Sequence, residues 1–385
     1  MTSEIIDALN VLKRSGYLNT INDDHIMTAC EKGNIEILQW YKNEFDLIGD
    51  NKAIQKASNN GHVHLLQWFN DNRSADDWIF LTRDTIKKAS IRGDIDVLEW
   101  WKNNFYTQFK NNYNQDCVNF ASQTGNMRIL EWWKNSGFEM KYDENAIKYA
   151  IMYNHINVLQ WWKKNGFELK YDENAIKDAI MYNHINVLEW LKNSGYIPTN
   201  RGLLDCAKSV EVLEWWKNST YEMNYTKYAM EYASNHNNIH ILKWWKNSGF
   251  EFKYDDRVLC RAAEEGLIDV LEWWKNSNYP LDYNKNSLSV ICSASVYGHV
   301  NVLQWWKKNG FEFKYYENEK NSINSASYSG HINVLDWFHN SGYEFKYNDF
   351  VINYFQENNL ELVSKWFKEN NYTFTINVNE DLSDY

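Results

Sequence analysis

Five histidines recur at one place in a repeated phrase: His62, His155, His184, His299 and His331. Imidazoles in such a series could ligate a metal, and Cys30, Cys117, Cys206, Cys260 and Cys292 could add thiolates. A row of lysines (Lys42, Lys102, Lys134, Lys163, Lys192, Lys217, Lys246, Lys275, Lys307) could bind an anion. Spacing argues against all three. The histidines stand about one repeat apart, and layers of packed helices are ~10 Å apart, too far to share a coordination sphere. The cysteines form no CxxC pair, are odd in number and each lie within four residues of a recurring alanine, which fits small buried thiols in a reducing, cytoplasmic compartment. The lysines close short helices, where a cation is favourable against the helix dipole without any ligand. No HExxH, GxGxxG, P-loop or GxSxG phrase occurs. The chain therefore reads as non-catalytic, with no metal and no cofactor; an enzyme built from other residues is the remote alternative.

The elements that position these residues come from an internal repeat. The leucine of the V/I-L-x-W phrase recurs at Leu38, Leu66, Leu98, Leu130, Leu159, Leu188, Leu213, Leu242, Leu271, Leu303 and Leu335, at intervals of 25 to 32 residues. Residues 1–17 form a half copy around Leu9, residues 349–372 a degenerate copy around Val363, and 373–385 an acidic polar tail. Of the 20 tryptophans only Trp78 lies outside the phrase, so the paired indoles belong to the repeat. Nine residues before most of these leucines stands an alanine (Ala29, Ala57, Ala89, Ala121, Ala150, Ala179, Ala233, Ala262, Ala294, Ala326), with an apolar residue three positions earlier, on one helical stripe. Ala207 is only six residues ahead of Leu213, which places a three-residue deletion in that copy.

Each copy thus predicts two short helices. Helix A runs through phrases such as DENAIKYAIMY, capped by Asp143 or Asp172 and stopped by glycine or asparagine. Helix B is INVLQWWKK, stopped by Gly137, Gly166, Gly195, Gly249, Gly310 or Gly342. Around the leucine of helix B the −3, −1, 0, +2 and +3 positions are apolar, leaving a narrow polar strip at −2, +1 and +4. Such a helix must be buried on several sides, and neighbouring copies supply those sides. Each buried indole removes about 150 to 250 Å² from water, worth roughly 4 to 6 kcal/mol as an upper bound.

The charge of −11 disfavours nucleic acid as a partner, and the absence of a long apolar run predicts neither a membrane span nor a secretory signal. Two antiparallel helices joined at a Gly-His turn, most directly at GHVHLLQWF (61–69), GHVNVLQWW (298–306) and GHINVLDWF (330–338), resemble the ankyrin repeat. The residue usage is similar to that of ankyrin proteins from giant amoebal viruses. The resemblance implies an all-α solenoid of about twelve helix pairs over residues 1–372. The family's T-P-L-H phrase is absent and the period shrinks to 29 in the most regular copies, so its β-hairpin finger should be clipped, with more kept where the period is 32. In that family the second and third residues after the helix A alanine face the concave groove. Here they include Met152, Tyr153, Met181, Tyr182, Val296, Tyr297 and Tyr328, together with Ile91, Arg92, Glu264 and Glu265. The expected function is a monomeric adaptor that binds a protein partner; the alternative is a self-assembling, virion-associated component.

Overall fold

The alanine phrase and the indole phrase each form a helix, and the two fold back on one another. The computed structural model describes residues 2–15, 23–46, 50–72, 83–170, 173–317, 320–347 and 361–372. Trp78, Asp172, residues 16–17 and 349–360 of the terminal copies, and the tail 373–385 lie outside the described residues. Contacts divide the chain into two units, Met1–Ala179 with Asn186–Gly195, and Ile180–Ile185 with Tyr196–Tyr385.

In the first unit a lone helix, Thr2–Arg14, precedes five A/B hairpins. They are Asp23–Lys32 with Ile35–Phe45, Asn51–Asn59 with Val63–Asn72, Arg83–Arg92 with Ile95–Asn104, Asp116–Gln123 with Met127–Asn135, and Glu144–Met152 with Ile156–Lys164. The second unit holds Val210–Asn218, then Tyr228–Asn235 with Ile239–Asn247, Arg257–Glu264 with Ile268–Asn276, Tyr283–Val296 with Val300–Lys308, and Ser322–Tyr328 with Ile332–Asn340. Helix Glu361–Glu369 follows. The hairpin Glu173–Met181 with Ile185–Asn193 is divided between the units.

Small residues let the A helices approach: Ala57, Ala89, Ala121 and Ala150 are fully buried, and A helices of adjacent copies pack on one another, as Asp116–Gln123 does on Arg83–Arg92 and Glu144–Met152 and as Arg257–Glu264 does on Tyr228–Asn235 and Tyr283–Val296. Asp143 begins its helix as expected, its carboxylate accepting the Asn145 N–H at 2.9 Å. Gly125 ends helix A with φ +68°, and a Cβ there would lie 2.8 Å from Nδ1 of His155 in the next turn. Both the left-handed backbone and the close ring demand glycine. Asn154 and Asn183 adopt the same conformation, φ 60°, where no glycine is present.

Copies of unequal length spend their extra or missing residues differently. In the copy with the deletion, helix A shrinks to a 3-10 turn, Leu203–Cys206, with Ala207 following it, so the two-helix expectation fails there. The copies with a period of 32 do not share a retained finger. One inserts a further helix, Tyr106–Asn112; one lengthens helix A to 14 residues, Tyr283–Val296; one forms a hairpin of two-residue antiparallel strands, Tyr316–Glu317 and Lys320–Asn321. These are the only strands among the described residues. In the 29-residue copies the FEMKYD-type links are irregular, and their tyrosines tie copy to copy: Tyr142 and Tyr225 hydroxyls donate to the carbonyls of Glu168 and Glu251 at 3.1 and 2.7 Å.

Candidate partner-binding face

Which surface is free for a partner follows from what helix B uses up. Fourteen indoles are at least nine-tenths buried, and those of Trp133, Trp162, Trp274 and Trp306 completely. In most copies the first indole of the phrase donates to the residue just after the marker leucine of the preceding copy; ahead of Trp273 that residue is Lys243, which has no lone pair to offer. Trp68 donates to Gln39, Trp100 to Gln67, Trp132 to Glu99 and Trp161 to Glu131, at 2.5 to 3.0 Å. The second unit repeats this with Trp244 to Glu214, Trp305 to Glu272 and Trp366 to Asp336. The supposed polar strip is therefore a ladder of acceptors. Lys275, Trp305 and Asn276 all donate to the Glu272 carboxylate and hold its pKa down at about 2.

The second indole reaches further, to the serine after the helix A alanine of the preceding copy. Trp101 donates to Ser58, Trp133 to Ser90, Trp162 to Ser122 and Trp274 to Ser234, at 2.8 to 3.2 Å. Where that serine is replaced, the partner position responds. Ile151 stands in the serine position and the corresponding residue of the next copy is Leu191 rather than tryptophan; both are buried. Ile180 and Ala263 offer no acceptor, and Trp216 and Trp306 turn instead to the carbonyls of Glu222 and Glu312. Ser295 meets a phenylalanine position, Phe338, and its buried hydroxyl has no partner; Trp245, whose serine position is Lys208, has a buried N–H without one.

The candidate chemistry of the sequence is absorbed in the same way. Ring N–H groups of His62, His155 and His299 donate to the carbonyls of Glu31, Gln123 and Glu264 in the preceding copy at 2.8 to 2.9 Å. Burial raises the thiol pKa of Cys30 to about 12 and those of Cys117 and Cys260 to about 11, and none of the five cysteines forms a disulfide. The lysines do more than face their own helix dipole: Lys163, Lys246 and Lys275 donate to Ser194, to the Ser277 carbonyl and to Asn309 at the helix B end of the next copy, at 2.7 to 3.0 Å.

Helix A is left. Tyr153, Tyr182, Val296 and Tyr297 are exposed on it or at its end, while Met152, Met181 and Tyr328 are half-buried, as is Glu264; Arg92 and Glu265 are exposed. Tyr153 and Tyr182 rest on His155 and His184 with rings nearly parallel, and Tyr153 accepts a bond from Gln123 at 3.3 Å. The row missed from sequence is the residue before the alanine, one helical turn from the third residue after it. It carries Lys56, Lys88, Phe120 and Tyr149 in the first unit. In the second unit the same row carries Tyr232 and Arg261. Beside it Glu231, 5% exposed, pairs with Arg257 of the next A helix at 2.7 Å; burial raises its pKa against the pull of that guanidinium.

No family model and no curated protein matches the chain. Among solved structures it is similar to the pentatricopeptide repeat protein PPR10 from maize, at 13% identity and a TM-score of 0.30. That match covers 95% of this chain, which spans 61% of that protein. Among the described residues no helix is long and apolar enough to cross a membrane.

Proposed function

We propose that the chain is a non-catalytic interaction scaffold of ankyrin-like helix pairs, residues 1–372, holding a protein partner on the outer face of its A helices. One observation carries this. Among the described residues between the terminal helices the exposed large apolar side chains are Tyr106, Tyr153, Tyr182, Ile197, Tyr228, Val296 and Tyr297; five belong to A helices or their ends and none to a B helix. Exposed tyrosine supplies large contact area at low entropy cost and is enriched at interfaces. The copy-to-copy hydrogen bonds of helix B fix the scaffold, so the A helices can vary without loss of stability. A photo-crosslinking residue placed at Tyr153 or Tyr297 should capture a partner protein, and one placed at the exposed Gln160 of helix B should not. Equal capture at all three positions refutes the assignment.

Self-association is the second reading, favoured by apolar side chains exposed on two further helices: Ile5, Val11 and Leu12 on Thr2–Arg14, and Leu362 on Glu361–Glu369. Sedimentation decides: a monomer at all concentrations removes this reading.

A further inference from the structure

We propose that the A face of the first unit takes an extended peptide segment bearing several acidic residues followed by an aromatic or aliphatic anchor. The inference rests on the scaffold reading and names the chemistry of its partner. Along the first five A helices, the outward row consists of the residue before each alanine and the third residue after it. In order these are Thr28 and Lys32, Lys56 and Asn60, Lys88 and Arg92, Phe120 and Thr124, Tyr149 and Tyr153. Four cations and no anion occupy the first three copies of this row, in a chain whose formal charge is −11. Lys32, Lys88 and Arg92 are exposed, and Lys56 is half-buried.

Two of these cations are held by neighbours. Glu31 lies 3.1 Å from Lys56 and Asp94 lies 2.8 Å from Arg92, so both are pinned at the surface in a defined place. In the next two copies the row turns aromatic. Phe120 and Tyr149 stack at 6.5 Å, and Tyr153 follows, 46% exposed.

The order of the row sets the order of the ligand. Adjacent A helices are about 10 Å apart, and an extended chain advances about 3.3 Å per residue. A segment whose acidic residues lie over Lys56 and Lys88 therefore reaches Phe120 about three residues later and Tyr153 about six residues later. A nucleic acid strand fits less well. Its charge continues along its whole length, whereas the cations of this row stop at the third copy.

Fluorescence anisotropy tests the proposal with a labelled peptide of six glutamates, a Gly-Ser-Gly spacer and a Phe-Leu pair. The full chain should bind it, and the double variant Lys56→Glu, Lys88→Glu, with unchanged far-ultraviolet circular dichroism, should bind about tenfold more weakly or worse. Tyr153→Ala should weaken binding without altering its salt dependence. A peptide of the same composition in scrambled order should bind more weakly than the ordered one. Equal binding by the charge-reversed variant, equal binding of the scrambled peptide, or tighter binding of an oligouridine of similar length overturns the proposal. If crosslinking at Tyr153 captures a protein while the peptide does not bind, the acidic partner falls and the scaffold stands. If that crosslinking fails, the scaffold reading falls, whatever the peptide does.

Discussion

The pairing of indole and serine across copies predicts that one substitution, made at two equivalent positions, has opposite signs. Ser122 and Trp162 are both completely buried, and the indole N–H donates to the Ser122 hydroxyl at 3.1 Å. Ser122→Ala strands that N–H in an apolar site, at a cost of about 1 to 3 kcal/mol. Ser295 occupies the same place after Ala294, is equally buried, and its hydroxyl is unpartnered because Phe338 stands where an indole would donate. Ser295→Ala removes a desolvated hydroxyl, a gain of about 1 to 3 kcal/mol. The helix propensity gain from serine to alanine, about 0.5 kcal/mol, is common to both and cancels in the comparison, so the two variants should differ by about 2 to 6 kcal/mol. With the two substitutions in different units, a global melting temperature is a poor readout. Native-state amide exchange on the Asp116–Gln123 and Tyr283–Val296 helices reads each one locally. Faster exchange in the first variant and slower exchange in the second is the expected result. Destabilisation of similar size at both sites would show that serine is there for packing between A helices, and would refute the pairing.

Three further outcomes follow from named contacts. Because the Glu272 carboxyl titrates at about 2 in the folded chain, below its ordinary value of 4.5, its contribution to stability is complete above 4.5 and is lost as pH falls from 4.5 towards 2. Acid unfolding of Glu272→Gln should lack that part of the pH dependence, and an unchanged profile would contradict it. Gly125→Ala should cost more than Gly137→Ala: both residues have positive φ, at about 1 kcal/mol of strain, but only the first new Cβ meets a ring, His155 Nδ1 at 2.8 Å, while nothing lies within 4 Å of the second. Urea midpoints compare the two. Alkylation followed by mass spectrometry at mildly alkaline pH should leave Cys30 and Cys117 unmodified until the chain unfolds, since burial raises the pKa of both thiols well above their ordinary value.

How much of this could be read from the residues depended on the range of the interaction. Helix periodicity, the Asp143 cap and the Gly125 stop are local, and each appears in the structure where its residue predicts it. The roles of the +1 glutamates and glutamines were not read, because period analysis sees only that they are polar, whereas their acceptor role depends on the register of the next copy. A signal for that register did exist. Ile151 and Leu191 depart together from the Ser and Trp found 40 residues apart at Ser122 and Trp162, a co-variation within one chain. The fate of the three extra residues in the longer copies was not legible either. One insertion forms the helix Tyr106–Asn112 although Thr107, Phe109, Asn111 and Asn112 are weak helix formers, while another pairs Tyr316–Glu317 with Lys320–Asn321 as short antiparallel strands. The basic part of the A face lies outside the positions that the ankyrin resemblance assigns, on their i, i+4 neighbours one helical turn away.

The distribution of hydrogen bonds explains why such a chain can hold indoles so densely and still present a variable surface. A buried indole needs an acceptor, and in the regular copies the preceding copy provides it, through Glu131 on helix B and Ser122 on helix A for the pair Trp161 and Trp162. Where such bonds cross the boundary, a substitution in helix B is felt by its neighbour. Helix A buries one stripe, such as Ala53, Ile54, Ala57 and Ser58, and positions off that stripe differ between copies, as Lys88, Phe120, Tyr149 and Asp178 do in one row. Exchanging the exposed Lys88 should therefore alter what the chain binds at little cost in stability, within about 0.5 kcal/mol. Exchanging Glu131 for alanine should loosen two adjacent copies together, because it orphans the indole N–H of Trp161 in the next copy. Amide exchange that changes only in the mutated copy would contradict the coupling.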